Sequence, residues 1–217
     1  MNLDKYNKLR DQMSSGDILL FSGKGRLSQC IKLFSRSKWS HVGTVLKIDD
    51  LGVCCFESTT LINIADVYSG EAKRGVMVTL LSERLKHYDG DVGWRQLKSV
   101  TGCDKFIHHM LMKFRMDVRD RPYEQDKIEM LKAVLDPSWD SVGNLLSNEA
   151  DLSSFFCSEL VAEALIRCGI IKKECPSNEW VPGDFDEGTH FDNLLAEGYG
   201  YGYAPIIMLK ETVESGK

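Results

Sequence analysis

The 217-residue sequence has no long hydrophobic run and no excess of basic charge. Residues 1–16 are polar and charged, without the apolar segment of a signal peptide or membrane span. The formal net charge is -5. No basic stripe interleaved with aromatic residues occurs, which argues against nucleic acid as a partner. The composition predicts an ordinary globular protein with one sizeable core.

The sequence also lacks the cysteine patterns of disulfide frameworks and metal sites. Its seven cysteines are an odd number, and Cys54 and Cys55 are adjacent, which fits a reducing compartment and predicts a cytoplasmic protein. No Cys-x-x-Cys pair exists, and Cys168 and Cys175 are too loosely spaced for a chelating turn. His108 and His109 would point in different directions on a helix. We therefore expect no metal and no cofactor.

The segment 153–161 contains the strongest candidate for a reactive group, Cys157. Apolar residues follow it at the spacing of one helical face, namely Leu160, Val161, Ala164, Leu165 and Cys168. This pattern predicts a helix that starts near Cys157 and stops at Gly169. A helix N-terminus favours an anion, so a thiolate nucleophile is one interpretation, and a buried structural cysteine is the other.

Hydrophobic periodicity and turn residues predict a single α+β domain over residues 1–217. The predicted helices are 2–14, 27–34, 82–87, 103–118, 124–135 and the Cys157 helix. The predicted strands are 18–21, 41–48, 53–57, 73–81, 92–97 and a closing strand at 204–209.

The runs His41–Ile48 and Val53–Glu57 predict an antiparallel hairpin. A turn centred on Asp50 would pair Gly43 with Glu57 and His41 with Thr59. Glu57 is then a diagonal neighbour of His41 on the same face, within reach of a long side chain. A register slip of one residue would put the two side chains on opposite faces.

A nucleophilic thiol needs a base and a third group that orients the base. His41 is the best candidate base, because it opens a strand beside Ser40 and Gly43, whose small size would leave room for a substrate. The competing interpretation of His41 is a structural histidine at a strand end, with its hydrogen bonds made within the fold. The other histidines lie in polar or helical contexts typical of surface positions, and no Gly-x-Ser-x-Gly elbow is present.

Five short motifs occur in a characteristic order. They are Gly16-Asp17-Ile18-Leu19, Ser40-His41-Val42-Gly43, Phe56-Glu57-Ser58, Pro122-Tyr123 and Phe156-Cys157-Ser158-Glu159-Leu160-Val161. Together they resemble the circularly permuted NlpC-type papain-like cysteine hydrolases of the YiiX/YaeF branch, which in turn resembles a poxvirus protein group. In unpermuted relatives the cysteine helix precedes the histidine strand. The likeness spans residues 16–169, and residues 170–217 form a C-terminal extension with the closing strand.

The resemblance implies a papain-like fold, with a small antiparallel sheet or open barrel packed against the cysteine helix. It implies Cys157 as nucleophile, His41 as general base and then acid, and Glu57 as the group that orients His41. Tyr123 matches a site-lining tyrosine, which would help the Cys157 backbone N–H to bind the oxyanion. A turn aromatic that caps the core is the competing interpretation of Tyr123.

The expected function is a cysteine peptidase or amidase that forms a thioester with a peptide, cell-wall fragment or amino-acid amide. No targeting signal or domain is visible, which weakens the case for a cell-wall substrate. One alternative is a lipid-directed thiol acyltransferase or lipase with peripheral lipid contact. The basic residues near Lys32–Lys38 and the aromatic residues Phe191, Tyr199, Tyr201 and Tyr203 would suit it. The other alternative is a binding module without catalysis. The oligomeric state stays open.

Overall fold

The computed structural model describes residues 3–99, 102–119, 154–172, 180–195 and 200–212. Its α-helices are α1 (Asp4–Leu9), α2 (Arg26–Ser35), α3 (Leu81–His87), α4 (Asp104–Val118), α5 (Ser154–Arg167) and α6 (His190–Asn193). Short 3₁₀ turns span Arg10–Gln12 and Pro182–Phe185. The strands are β1 (Ile18–Gly23), β2 (His41–Ile48), β3 (Gly52–Thr59), β4 (Gly75–Leu80), β5 (Gly90–Arg95), β6 (Leu97–Ser99), β7 (Tyr201–Tyr203) and β8 (Ile207–Lys210).

Six of these strands form one antiparallel sheet in the order β4-β3-β2-β1-β5-β8. Strands β6 and β7 pair separately as a two-stranded ribbon. The predicted α+β class with an antiparallel sheet is therefore confirmed. The predicted closing strand is present as β8, which pairs with β5 at the edge of the sheet.

The β2–β3 hairpin has the predicted register, with Thr44 opposite Phe56 and Ile48 opposite Gly52. Gly52 has a φ of 88°, a left-handed conformation that a side chain would strain. The Leu51 N–H donates to the Ile48 carbonyl at 3.0 Å and closes the turn. A glycine at this point of a short loop fixes the strand pairing, and with it the face on which each hairpin side chain lies.

Both faces of the sheet are covered, as the alternation of side chains in β1 illustrates. Ile18 and Leu20 belong to the core under α4 and α5, which also contains Cys157. Leu19 and Phe21 belong to a second core, which contains Leu81 and Leu85 of α3. A strand buried on both faces is apolar at consecutive positions, which explains the continuous run that opens β1.

Asp17, in the first motif, joins the start of β1 to the region after β5. Its carboxylate accepts hydrogen bonds from Trp94 Nε1 at 2.7 Å and from the Leu97 N–H at 2.8 Å. It also accepts from the Ser14 N–H at 3.0 Å. The completely buried carboxylate therefore orders the chain on both sides of β1.

The chain after α5 packs into the main core. Trp180, Phe185 and Phe191 are buried in the same cluster as α5, and the Tyr203 hydroxyl donates to the Gly16 carbonyl at 2.8 Å. Phe191 has no exposed surface, so it cannot contact a lipid, whereas Tyr201 and Tyr203 are half-buried. Tyr199 lies outside the described residues. The predicted helix 124–135 also lies outside them. Across the described ranges, no helix has the length and apolar character needed to cross a bilayer.

Candidate functional site

Helix α5 and the β2–β3 hairpin, which lie far apart in the sequence, meet near His41 at the start of β2. Helix α5 packs against β2 and β3, and Cys157 lies in its first turn. Against the effect of burial, Cys157 raises the pKa of His41 through its charge and by hydrogen bonding to the imidazole, so the two side chains adjoin. The structure therefore brings together the candidate nucleophile and the candidate base.

Glu57 contacts the other side of the His41 ring. His41 Nε2 lies 2.5 Å from Glu57 Oε2, and the Glu57 side chain has no exposed surface. The confirmed hairpin register explains this contact, because it places both side chains on one face of adjacent strands. With Nε2 bound to Glu57, Nδ1 is the ring nitrogen left for the Cys157 thiol.

Arg84 in α3 completes the site, and sequence reasoning missed it. Its Nε donates to Glu57 Oε1 at 2.6 Å and its Nη2 donates to Oε2 at 3.1 Å, in a two-pronged pair. The guanidinium also lies 4.9 Å from the ring centroid of Phe21. A completely buried carboxylate needs a buried cation, so an arginine near Glu57 could have been sought, but its position could not be read from spacing.

The charges of the site reinforce one another. Burial raises the pKa of Glu57, but the Arg84 guanidinium and then His41 lower it, and the resulting pKa is about 2. Burial lowers the pKa of His41, but Cys157 and Glu57 oppose this effect and raise the His41 pKa to about 9. The arrangement therefore favours an ionised Glu57 and a protonated imidazole at neutral pH.

A cleft of about 350 Å³ opens beside His41. Its walls include Ser40 from the β2 approach, Leu27 and Ile31 from α2, and Tyr88 and Arg84 from the α3 region. His41 is 16% exposed at its side chain, whereas Cys157 is only 1% exposed. The imidazole is thus the more accessible of the two reactive groups.

The predicted helix start is confirmed, because α5 spans Ser154–Arg167 and Cys157 lies in its first turn. The expectation for Gly43 is wrong. Gly43 does not make room for a substrate, because a Cβ there would lie 2.9 Å from Cys55 Sγ and 3.4 Å from Glu57 Cβ. The glycine instead allows β3 side chains to pack over β2. The predicted stop is confirmed, since Gly169 has a φ of 68° and its N–H donates to the Ile166 carbonyl.

The remaining candidates lie elsewhere. The side chains of His87 and His190 are 54% and 53% exposed, and His108 contacts Ser15 Oγ at 3.0 Å. Tyr123 lies outside the described residues. Within those residues, no group of three or more His, Cys, Asp or Glu side chains is arranged to hold a metal ion.

Comparison with solved structures finds a similarity to the metalloprotein YiiX from Escherichia coli O157:H7, described as DUF1105. The TM-score is 0.47 and the sequence identity is 14%, with 93% of this chain and 98% of the YiiX chain covered. No protein-family model matches the sequence, and no curated protein matches it. Function must therefore be inferred from this chain's own residues.

Proposed function

We propose that the protein is a thiol hydrolase with a permuted papain-like fold, which cleaves an amide bond through Cys157, His41 and Glu57. The observation that supports this most strongly is the chain of contacts from Cys157 to His41 to Glu57. Nucleophile, base and orienting carboxylate adjoin in the order that thiol catalysis requires. Burial of Cys157 alone would fit a structural cysteine, but an apolar structural site would not need a buried histidine–carboxylate pair beside it.

In the proposed first half-reaction, His41 holds the proton that Cys157 has given up, and the Cys157 thiolate attacks the amide carbonyl. The tetrahedral intermediate collapses when the C–N bond breaks and His41 returns its proton to the leaving amine. A thioester on Cys157 remains. Tyr123 and the Cys157 N–H are the proposed oxyanion donors.

In the second half-reaction, neutral His41 takes a proton from water, and the hydroxide attacks the thioester. The C–S bond breaks, the acid product leaves, and Cys157 returns as a thiolate beside the protonated His41. Glu57 accepts the Nε2 hydrogen bond throughout, so Nδ1 keeps facing the sulfur. The negative charge of Glu57 stabilises the His41 imidazolium whenever His41 carries the transferred proton.

Activity-based labelling tests the proposal. Wild type and Cys157→Ala are treated with peptide and acyl-chain electrophiles, and labelled residues are mapped by mass spectrometry. Cys30→Ala is a matched control, because Cys30 is a partly exposed free cysteine of α2. We expect labelling to disappear in Cys157→Ala and to persist in Cys30→Ala. Labelling of wild type no faster at Cys157 than at the other cysteines would instead favour a binding module.

The lipid-directed alternative has one structural observation in its favour. Leu33 on α2 is 75% exposed, and the same helix lines the cleft with Leu27 and Ile31. Exposed cations flank it at Arg26 and Arg36. An apolar residue among cations is typical of a segment that rests on an anionic lipid surface.

Liposome sedimentation separates this alternative from a soluble amidase. A lipid-directed enzyme should bind anionic liposomes, lose binding as salt rises, and bind less after Leu33→Ser. Leu51→Ser is the matched control, because it removes an exposed leucine from the β2–β3 turn and not from α2. Labelling of Cys157 by acyl-chain electrophiles in preference to peptide electrophiles would support the same alternative.

A further inference from the structure

A second cavity of about 410 Å³ lies between β4, the segment before it and the end of α4. It shares no described lining residue with the cleft beside His41. Phe56 forms part of its wall, and Phe56 and Glu57 point to opposite faces of β3 because successive strand residues alternate. The second cavity is therefore separate from the proposed reaction.

Arg115 is the unusual residue of this cavity. The residue is only 8% exposed, and its Cζ lies 3.2 Å from the ring centroid of Tyr68. Among the described residues, its one hydrogen-bond acceptor is the thioether sulfur of Met116, at 3.2 Å from Nη1. A thioether is a weak acceptor, and a guanidinium has five N–H donors. Within the part of the chain that the structure describes, Arg115 has no carboxylate partner, so its buried charge would be stabilised by an anionic ligand.

The other charged residues of the cavity strengthen this requirement. Lys73 and Arg119 also line it, and Lys73 Nζ donates to the Arg119 carbonyl at 3.3 Å. The acidic residue in the lining is Asp66, whose carboxylate accepts three backbone N–H groups at 2.7 to 2.9 Å. Those donors stabilise Asp66 as a charged carboxylate, so the described lining carries one formal negative charge against the positive charges of Arg115, Lys73 and Arg119.

We propose that this cavity binds a phosphate monoester with an apolar substituent. An arginine fork matches the oxygens of a phosphate, and additional cations suit a group with up to two negative charges. Val76 and Met116 provide apolar surface for the organic part. The volume lies within the range of about 300–1,000 Å³ that is usual for small-molecule sites.

Calorimetric titration of the full chain tests the proposal with hexyl phosphate, glycerol 3-phosphate and hexanoate. Arg115→Met should weaken hexyl phosphate binding by about tenfold or more, because it removes a charged hydrogen-bond donor. Lys113→Met is the matched control: it removes one cation from an exposed position of the same helix outside the cavity lining. Lys73→Met is a second variant that leaves the buried position intact, and it should weaken binding severalfold. Hexanoate should bind more weakly than hexyl phosphate.

A second arm identifies the source of the phosphate. Phosphatidylcholine vesicles with and without phosphatidic acid are sedimented with the same variants. Arg115-dependent binding to phosphatidic acid without binding of the soluble esters indicates a lipid headgroup, and the converse indicates a soluble metabolite. Absence of binding to every phosphate probe, or equal binding by Arg115→Met and Lys113→Met, overturns the proposal. Alkylation of Cys157 should be unchanged in Arg115→Met, so failure here is distinguishable from failure of the hydrolase proposal.

Discussion

Replacing Arg84 with Met should destabilise the protein and disturb the proposed site together. Arg84 is 2% exposed and Glu57 is fully buried, so the substitution leaves a carboxylate with only His41 beside it. Removing one partner of a buried ion pair costs about 3–5 kcal/mol. The Glu57 pKa has the direction that this pairing predicts, because burial raises this pKa and Arg84 is the largest of the influences that lower it to about 2.

Urea unfolding at pH 7 measures this loss for Arg84→Met, Glu57→Gln and the double variant. The double variant should be more stable than the sum of the single effects predicts, because no buried charge then lacks a partner. Glu57 stabilises the fold above its unfolded pKa of 4.5, and this contribution disappears as the pH falls towards 2. The penalty of Arg84→Met should therefore shrink over that window.

Arg95→Met is the control for the chemical effect of Arg84. Arg95 is equally buried and pairs with Asp192 at 2.8 Å, away from His41. Both variants should lose stability, but only Arg84→Met should change the pH profile of Cys157 alkylation, as expected of a residue that positions Glu57. A loss below about 1 kcal/mol, or strict additivity with Glu57→Gln, would refute the reasoning.

Two further perturbations test the site and the hairpin. The His41 pKa is raised from 6.5 to about 9. The contacts of protonated His41 with Cys157 and Glu57 therefore stabilise the fold fully below pH 6.5, and this stabilisation is lost as the pH rises through 9. The difference in free energy of unfolding between wild type and His41→Asn, measured in urea, should narrow over that range. Gly43→Ala should lower the free energy of unfolding by about 1–3 kcal/mol, because the added Cβ would lie 2.9 Å from Cys55 Sγ. At Gly25 an added Cβ has no atom within 4 Å, so Gly25→Ala should melt at nearly the wild-type temperature. An unchanged pH dependence in His41→Asn, or equal melting temperatures for the two glycine variants, would contradict these expectations.

Local patterns predicted the hairpin and its register, because apolar alternation and a short glycine-containing turn act within neighbouring residues. They also predicted Glu57 beside His41, since that contact depends only on the register. Arg84 could not be found this way, because its pairing with Glu57 depends on how α3 folds back against β3. The wrong prediction that Gly43 leaves room for a substrate has the same origin. The atoms nearest to Gly43 belong to β3, and the sequence alone does not show that they fill the space beside it.

The chain order of the site has a consequence for biosynthesis. His41, Glu57 and Arg84 lie within the part of the chain that forms β1 to β5, and Cys157 follows much later. Synthesis proceeds from the N-terminus, so the segment that contains His41, Glu57 and Arg84 leaves the ribosome before Cys157 does. We therefore expect the hairpin that carries His41 and Glu57, and the helix that carries Arg84, to be able to fold before Cys157 emerges from the ribosome. Pulse alkylation of stalled chains would follow that order directly.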